Sequence, residues 1–117
     1  SLRDRVAVVD ADYRYVYTNK ANADFHGVDA ESFFGRPNWE IIGTRFFELF
    51  NKPRFDACLA GRSDSFFAAH PLGHPNNLNA LNMDPVRNDD GCITAIIVMS
   101  RDVSRLPIPR ELIAPPP

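Results

Sequence analysis

Three histidines, two cysteines and several carboxylates are the side chains here with the chemistry to hold a metal or run a reaction. His26, His70 and His74 invite a metal or haem reading. His70 and His74, however, stand in a Pro-rich stretch with no third spaced ligand, and a four-coordinate site needs more than these can supply. All three are read as surface or loop histidines. Cys58 and Cys92 lack CxxC or His-rich spacing and read as small buried hydrophobes. Asp10, Asp12, Asp89 and Asp90 offer carboxylates in pairs, as acid–base catalysis requires, but they fall at turns where Asx hydrogen bonding explains them. The sequence contains no Ser-His-Asp order, P-loop or dinucleotide motif. The domain itself is expected not to be catalytic.

The aromatic residues offer a different chemistry. Trp39, Phe47, Phe50 and Phe55 could wall a flat ligand, since binding pockets are mostly apolar with a few polar anchors. The alternative is that they are simply core.

Composition narrows the field. The chain has 117 residues, enough for one domain with one core. Apolar residues make up 44% of it and nine are Phe, so the signature of disorder is absent. Thirteen basic and fifteen acidic residues are interspersed to a formal charge of −2, and no basic run resembles a phosphate-tracking surface. Direct nucleic-acid binding is not expected. The longest apolar run, Ala95 to Met99, is far short of the roughly 20 residues that span a bilayer, and no signal peptide opens the chain. Membrane contact is not expected, and the reading is cytoplasmic. Ser1 at one end and Pro115 to Pro117 at the other are what a segment of a longer protein would show.

The elements that position these residues follow from local pattern. Val6 to Val9 and Tyr13 to Thr18 are β-branched and aromatic runs separated by Asp10-Ala11-Asp12, a hairpin. Asn19 caps a helix that runs to Phe25 and stops at Gly27, with Ala21 and Phe25 on its inward face. Asp29 caps a turn of helix that Gly35 ends; Pro37 opens another through Trp39 to Ile42, ended by Gly43. Thr44 caps Arg45 to Phe50, and Pro53 opens a separate helix to Ala60 before Gly61. Strands follow over Ser65 to Ala69, Leu78 to Val86 and Cys92 to Asp102, the last two joined at Asn88-Asp89-Asp90-Gly91. His70 to Asn77 reads as a loop. Residues 1–104 form the domain, and 105–117 are expected to be a loosely ordered Pro-rich linker or tail. Hairpins at both ends and helices between give an α+β fold: one antiparallel sheet covered on one face.

In this order, four segments resemble the PAS domain family. Asp10-Ala-Asp-Tyr-Arg-Tyr-Val-Tyr-Thr-Asn19 is similar to its opening strand pair and helix-starting Asn. Phe25-His-Gly27 through Phe34-Gly-Arg-Pro37 is similar to its helical region. Asp84-Pro-Val-Arg-Asn-Asp-Asp-Gly91 resembles the last hairpin, and Arg101-Asp-Val-Ser104 the closing Asp-Ile-Thr signature. The resemblance spans about Arg5 to Ser104. It implies a five-stranded sheet in order 2-1-5-4-3 whose helices enclose a small cavity.

Similarity to ligand-holding members implies that Thr18 and Val16, Asn79, Leu81 and Met83, and Val98 and Ser100 face inward. Of these, Thr18, Asn79, Leu81, Met83, Val98 and Ser100, together with Trp39, Phe47, Phe50, Phe55 and Cys58, are the candidate ligand-binding residues. Asn79 and Ser100 are the polar anchors, because a buried unpaired amide or hydroxyl costs about 1–3 kcal/mol and needs a ligand or a protein partner. Asp102 is implied as the anchor at the exit of the last strand, where signal would be relayed. Alternation places Tyr13, Tyr15 and Tyr17 together on the outer face, an amphipathic patch that a homodimer or a flanking helix would cover.

Two departures from specialised members bear on cofactors. The flavin photosensors carry a reactive Cys in a Gly-x-Asn-Cys-Arg-Phe motif, whereas this chain reads Gly35-Arg-Pro-Asn-Trp-Glu40. Haem-binding members carry a His where Arg54 to Ala60 has none. Flavin and haem are disfavoured, and an unidentified small molecule is expected. The resemblance implies a sensory module passing its state to an output domain of a bacterial signalling protein, in two-component or transcription-regulating company. A ligand-free dimerisation module is the alternative.

Overall fold

The computed structural model describes residues 4–69 and 77–115. The expected His70 to Asn77 loop, and His70 and His74 in it, therefore lie outside the described residues except for Asn77.

Strand β1 (Arg5–Asp10) pairs with β2 (Tyr15–Thr18). The turn between them is built by Asp10, whose carboxylate accepts hydrogen bonds from the backbone N–H of Asp12 and of Arg14 at 2.9 and 3.0 Å, as an Asx residue does. Tyr13 closes the turn with φ of 63°. The pairing is then interrupted: Val9 faces Tyr15 while Val8 faces Tyr17, so Val16 is an extra residue in a β-bulge. Opposed residues share a sheet face. Tyr15 therefore lies inward beside Val9, Thr18 inward beside Ala7, and Tyr17 outward beside Val8.

This overturns the expected alternation. Tyr15 is buried in the core, and Tyr13 turns its ring onto Phe47 and Phe55 of the helical layer. Only Tyr17 of the three is exposed, and Val16, expected inward, is exposed as well. A single inserted residue puts the side chains on its two sides out of step, so Tyr15 is reversed while Tyr17 and Thr18 keep the faces that alternation gave them.

Asn19 caps helix α1 (Lys20–His26) as expected, accepting from Asn22 N at 3.0 Å, and Gly27 ends it at φ 69°. The same Asn19 oxygen also takes the Val6 N–H, and its amide donates to the Asp4 carbonyl, so the cap is sewn to β1. The inward face of α1 is Asn22 and Ala23, in place of Ala21 and Phe25. Burial of Asn22 is allowed because its amide donates to Thr18 Oγ1 at 3.0 Å, and a polar side chain with a partner can enter a core.

Helices α2 (Ala30–Phe33) and α3 (Asn38–Ile42) follow. Asp29 precedes α2 without a side-chain cap bond. Thr44 is the first residue of α4 (Thr44–Phe46), after Gly43, and does not cap it. The two separate helices expected on either side of Pro53 are one continuous run. A π-turn (Phe47–Asn51) joins α4 to α5 (Lys52–Leu59), Lys52 N donating to the Phe47 carbonyl five residues back. The wider turn changes the helical register just before Pro53, which has no N–H to give. It puts Phe47, Phe50 and Asn51 all in the interior.

Strands β3 (Asp64–Ala69), β4 (Leu78–Arg87) and β5 (Ile93–Asp102) complete an antiparallel sheet in the expected order β2-β1-β5-β4-β3. The β4–β5 turn is held by Asn88, whose Oδ1 accepts from the N–H of Asp90 and of Cys92, with Gly91 at φ 83°. Cys92, expected to be buried, is exposed there, while Cys58 is fully enclosed. Between the sheet and the helices lies a core of Val9, Phe33, Phe55, Cys58, Met83 and Ile96. Each large apolar side chain of this kind contributes about 1.5–3 kcal/mol by leaving water.

The segment after β5 is more ordered than its proline content implies. It forms a 3₁₀ turn (Arg110–Leu112), and Ile113 then pairs in parallel with Phe67 on β3, the Ala114 N–H donating to the Phe67 carbonyl at 2.7 Å. The tail thus occupies part of the open edge of β3, a common way to blunt an unpaired strand.

Candidate ligand-binding cavity

The inner sheet face and the helices enclose a cavity of about 90 Å³. Strand alternation supplies one wall. Arg5, Ala7 and Val9 come from β1, Leu81 and Met83 from β4, and Val98 and Ser100 from β5. The helices supply the other, with Asn22 and His26 of α1, Asn38 and Ile42 of α3, Phe46, and Phe50 and Phe55 from the π-turn and α5. Most of this lining is apolar, as small-molecule sites usually are.

Two polar clusters break the apolar lining. In the first, Asn38 Nδ2 donates to the Tyr15 hydroxyl at 2.9 Å, and Asn51 Nδ2 donates to Asn38 Oδ1 at 3.1 Å. All three line the cavity. Burial pushes the Tyr15 phenol up to about 12, against the opposing pull of the Asn38 bond and of Arg36, so it stays a neutral donor and acceptor at physiological pH.

In the second cluster, Arg5 donates from Nη2 to Asn79 Oδ1 at 2.9 Å and lays its guanidinium 3.9 Å from the centre of the Phe25 ring. Asn79 is 2% exposed. Its amide donates in turn to Asn77 Oδ1, and Asn77 reaches Asp102 Oδ2 at 3.4 Å. Asp102 also accepts from Ser104 N at 2.8 Å; hydrogen bonding from Ser104, its side chain first and its backbone second, holds the Asp102 carboxyl below its ordinary value, and Ser104 Oγ takes the Leu78 N–H. A run of amides therefore leads from the cavity wall to the point where the chain leaves β5.

The candidate residues divide accordingly. Phe50, Phe55, Asn79, Leu81, Met83, Val98 and Ser100 line the cavity. Thr18 faces inward but spends its hydroxyl on Asn22 and on the Asn19 carbonyl. Trp39 and Phe47 pack on each other with ring centres 5.1 Å apart, behind the lining, as core. Cys58 is also core, and burial pushes its thiol up to about 11. His26, expected on the surface, is half-buried on the cavity lining. Tyr15 was assigned to the wrong face, and Arg5, Asn38 and Asn51 carried no local signal; their burial depends on partners distant in sequence. Among the described residues no three His, Cys, Asp or Glu side chains are gathered to hold a metal.

Comparison with known proteins agrees with this fold. The family model of the PAS fold matches residues 1–106, and the chain belongs to that family. The domains of this family are sensory modules of signalling proteins. Among solved structures, the Vibrio cholerae VqmA dimer superposes with a TM-score of 0.79 at 21% identity, over 94% of this chain and 50% of that one. VqmA bound to DPO superposes at 0.75 and 22% identity, over 88% and 54%. A sensory box sensor histidine kinase from Vibrio cholerae superposes at 0.69 and 21% identity, over 86% and 78%. The chain spans about half the length of the VqmA chains it resembles. No curated protein matches it in sequence. No helix among the described residues is long and apolar enough to cross a membrane.

Proposed function

We propose that this PAS domain binds a small molecule in its inner cavity and relays occupancy to an output domain of a larger signalling protein. The observation that carries the reading is the cavity itself: apolar walls with buried polar groups at two places, which is the composition of a specific small-molecule site. At about 90 Å³ it suits a compact ligand, on the order of six to nine water-sized positions. Support also comes from VqmA, a fold neighbour solved bound to DPO. The relay would run from Asn79 through Asn77 to Asp102 and Ser104. Flavin and haem remain disfavoured on the residues at the positions that hold them in other members. A cytoplasmic, bacterial parent is the setting we propose.

Native mass spectrometry of the purified domain, compared with its denatured mass, tests the reading. The expected result is an excess mass in the native state that is lost on denaturation, or a small-molecule hit that perturbs Leu81, Met83 and Val98. A flavin or haem absorption band would overturn the cofactor part of the proposal.

A second reading, dimerisation through the outer sheet face, rests on a separate observation. Val6, Val8, Tyr17, Ile97 and Met99 adjoin one another across β1, β2 and β5 on that face, with Tyr17 and Met99 exposed. The Vibrio cholerae VqmA neighbour is a dimer. The two readings are compatible.

A further inference from the structure

Arg5 is a cation in the cavity wall with only 8% of its surface exposed. A guanidinium carries five N–H donors and a permanent charge. Its hydrogen bond is to the neutral Asn79 Oδ1, and its other contact is the face of Phe25. Among the described residues no carboxylate stands within ion-pair distance of it.

The acids nearby are engaged elsewhere. Asp4, its chain neighbour, holds Arg101 in a two-point pair at 3.1 and 2.8 Å. Asp102 attracts Arg5 through space, but its oxygens are taken by Ser104 and Asn77 at the exposed rim. Burying a charge is costly unless an opposite charge or several dipoles compensate it, and one amide oxygen and one ring face are partial compensation. Arg5 also borders the open groove formed by Phe25, Arg101 and Asp102, so it lines both the cavity and that groove.

We infer that the cavity takes a small organic anion, a carboxylate on a compact apolar body, and that Arg5 binds its charge. The inference rests on the reading of the cavity as a ligand site and assigns that site its ligand class. The carboxylate would meet the guanidinium fork in place of water, with Val9, Leu81, Met83 and Phe55 around the apolar body. Tyr15, a neutral donor on the opposite polar cluster, leaves room for a second acceptor on the ligand.

The test uses carboxylates and their isosteric amides at two sizes: isobutyrate against isobutyramide, and benzoate against benzamide. Each is titrated into the ¹⁵N-labelled domain, with Ala7, Val9 and Ser100 amides as reporters. We expect at least one carboxylate to bind tenfold or more tighter than its amide. Arg5→Gln should abolish that preference while leaving amide binding intact, which also shows that the cavity is still formed, and Arg5→Lys should keep part of it.

Should Arg5→Gln not fold, Asn79→Asp gives the converse test. A built-in carboxylate beside Arg5 should cut carboxylate binding tenfold or more and spare the amides. Equal binding of acid and amide, or a preference that survives Arg5→Gln or Asn79→Asp, overturns the anion while the cavity reading stands. If none of the four compounds binds at millimolar concentration, both fall.

Discussion

Asn38 donates a 2.9 Å hydrogen bond to the hydroxyl of Tyr15, a contact that joins the first turn of α3 to the edge strand β2 at the cavity lining. Asn38 in turn accepts from Asn51 of the π-turn, so three elements meet at one buried amide. Tyr15→Phe removes the acceptor and leaves a buried N–H unpaired, which costs about 1–3 kcal/mol. The expected result is a lower midpoint in urea with an unchanged slope. The phenol's pKa rises from an ordinary 10.0 to about 12 on folding, so its stabilisation is complete below 10 and is lost as pH climbs from there toward 12. Wild-type stability should therefore fall over that alkaline range, and Tyr15→Phe should fall less.

The two thiols should separate cleanly by reactivity. Cys58 is fully enclosed with its thiol pushed up to about 11 by burial, while Cys92 is exposed beside the β4–β5 turn. Because the thiolate is the reactive form, a thiol reagent at pH 8 should label one cysteine of the native domain quickly and both in denaturant. Fast labelling of Cys58 under native conditions would contradict the buried position.

Asp102 sits at the end of the amide run that begins at the cavity. Asp102→Ala removes the acceptor for Ser104 N and Asn77, both at the exposed rim, and should change stability by under about 1 kcal/mol. In the parent protein it should uncouple response from binding. A variant that still responds normally shows that the relay runs elsewhere.

The outer face carries the dimer prediction, now without Tyr13 and Tyr15. Replacing Tyr17 and Met99 with Ser removes the two most exposed large side chains of the patch and should leave the inner core untouched. If the face is an interface, sedimentation should shift from dimer to monomer with little change in midpoint. A wild-type domain that is monomeric at high concentration, with or without native flanking residues, removes the dimer.

Local chemistry made much of the fold legible. Asn19 with Gly27 bounded a helix, and Asn88 with Gly91 closed a hairpin, because each cap or turn is satisfied by its own neighbours along the chain. The order of strands and helices followed from patterning, and the 2-1-5-4-3 sheet followed from the resemblance that four short motifs carried.

What the tertiary structure alone decided depends on residues far apart. The bulge at Val16 exists only in the pairing of β2 with β1, so alternation within β2 could not show that Tyr15 points inward. The π-turn at Phe47–Asn51 fused two helices by a hydrogen-bond register invisible to composition. Nothing in the pattern around Arg5 marks it as interior; its burial needs Asn79, 74 positions later, and the ring of Phe25. A polar side chain becomes core only when distant partners satisfy it, and those partners meet only once the sheet has closed.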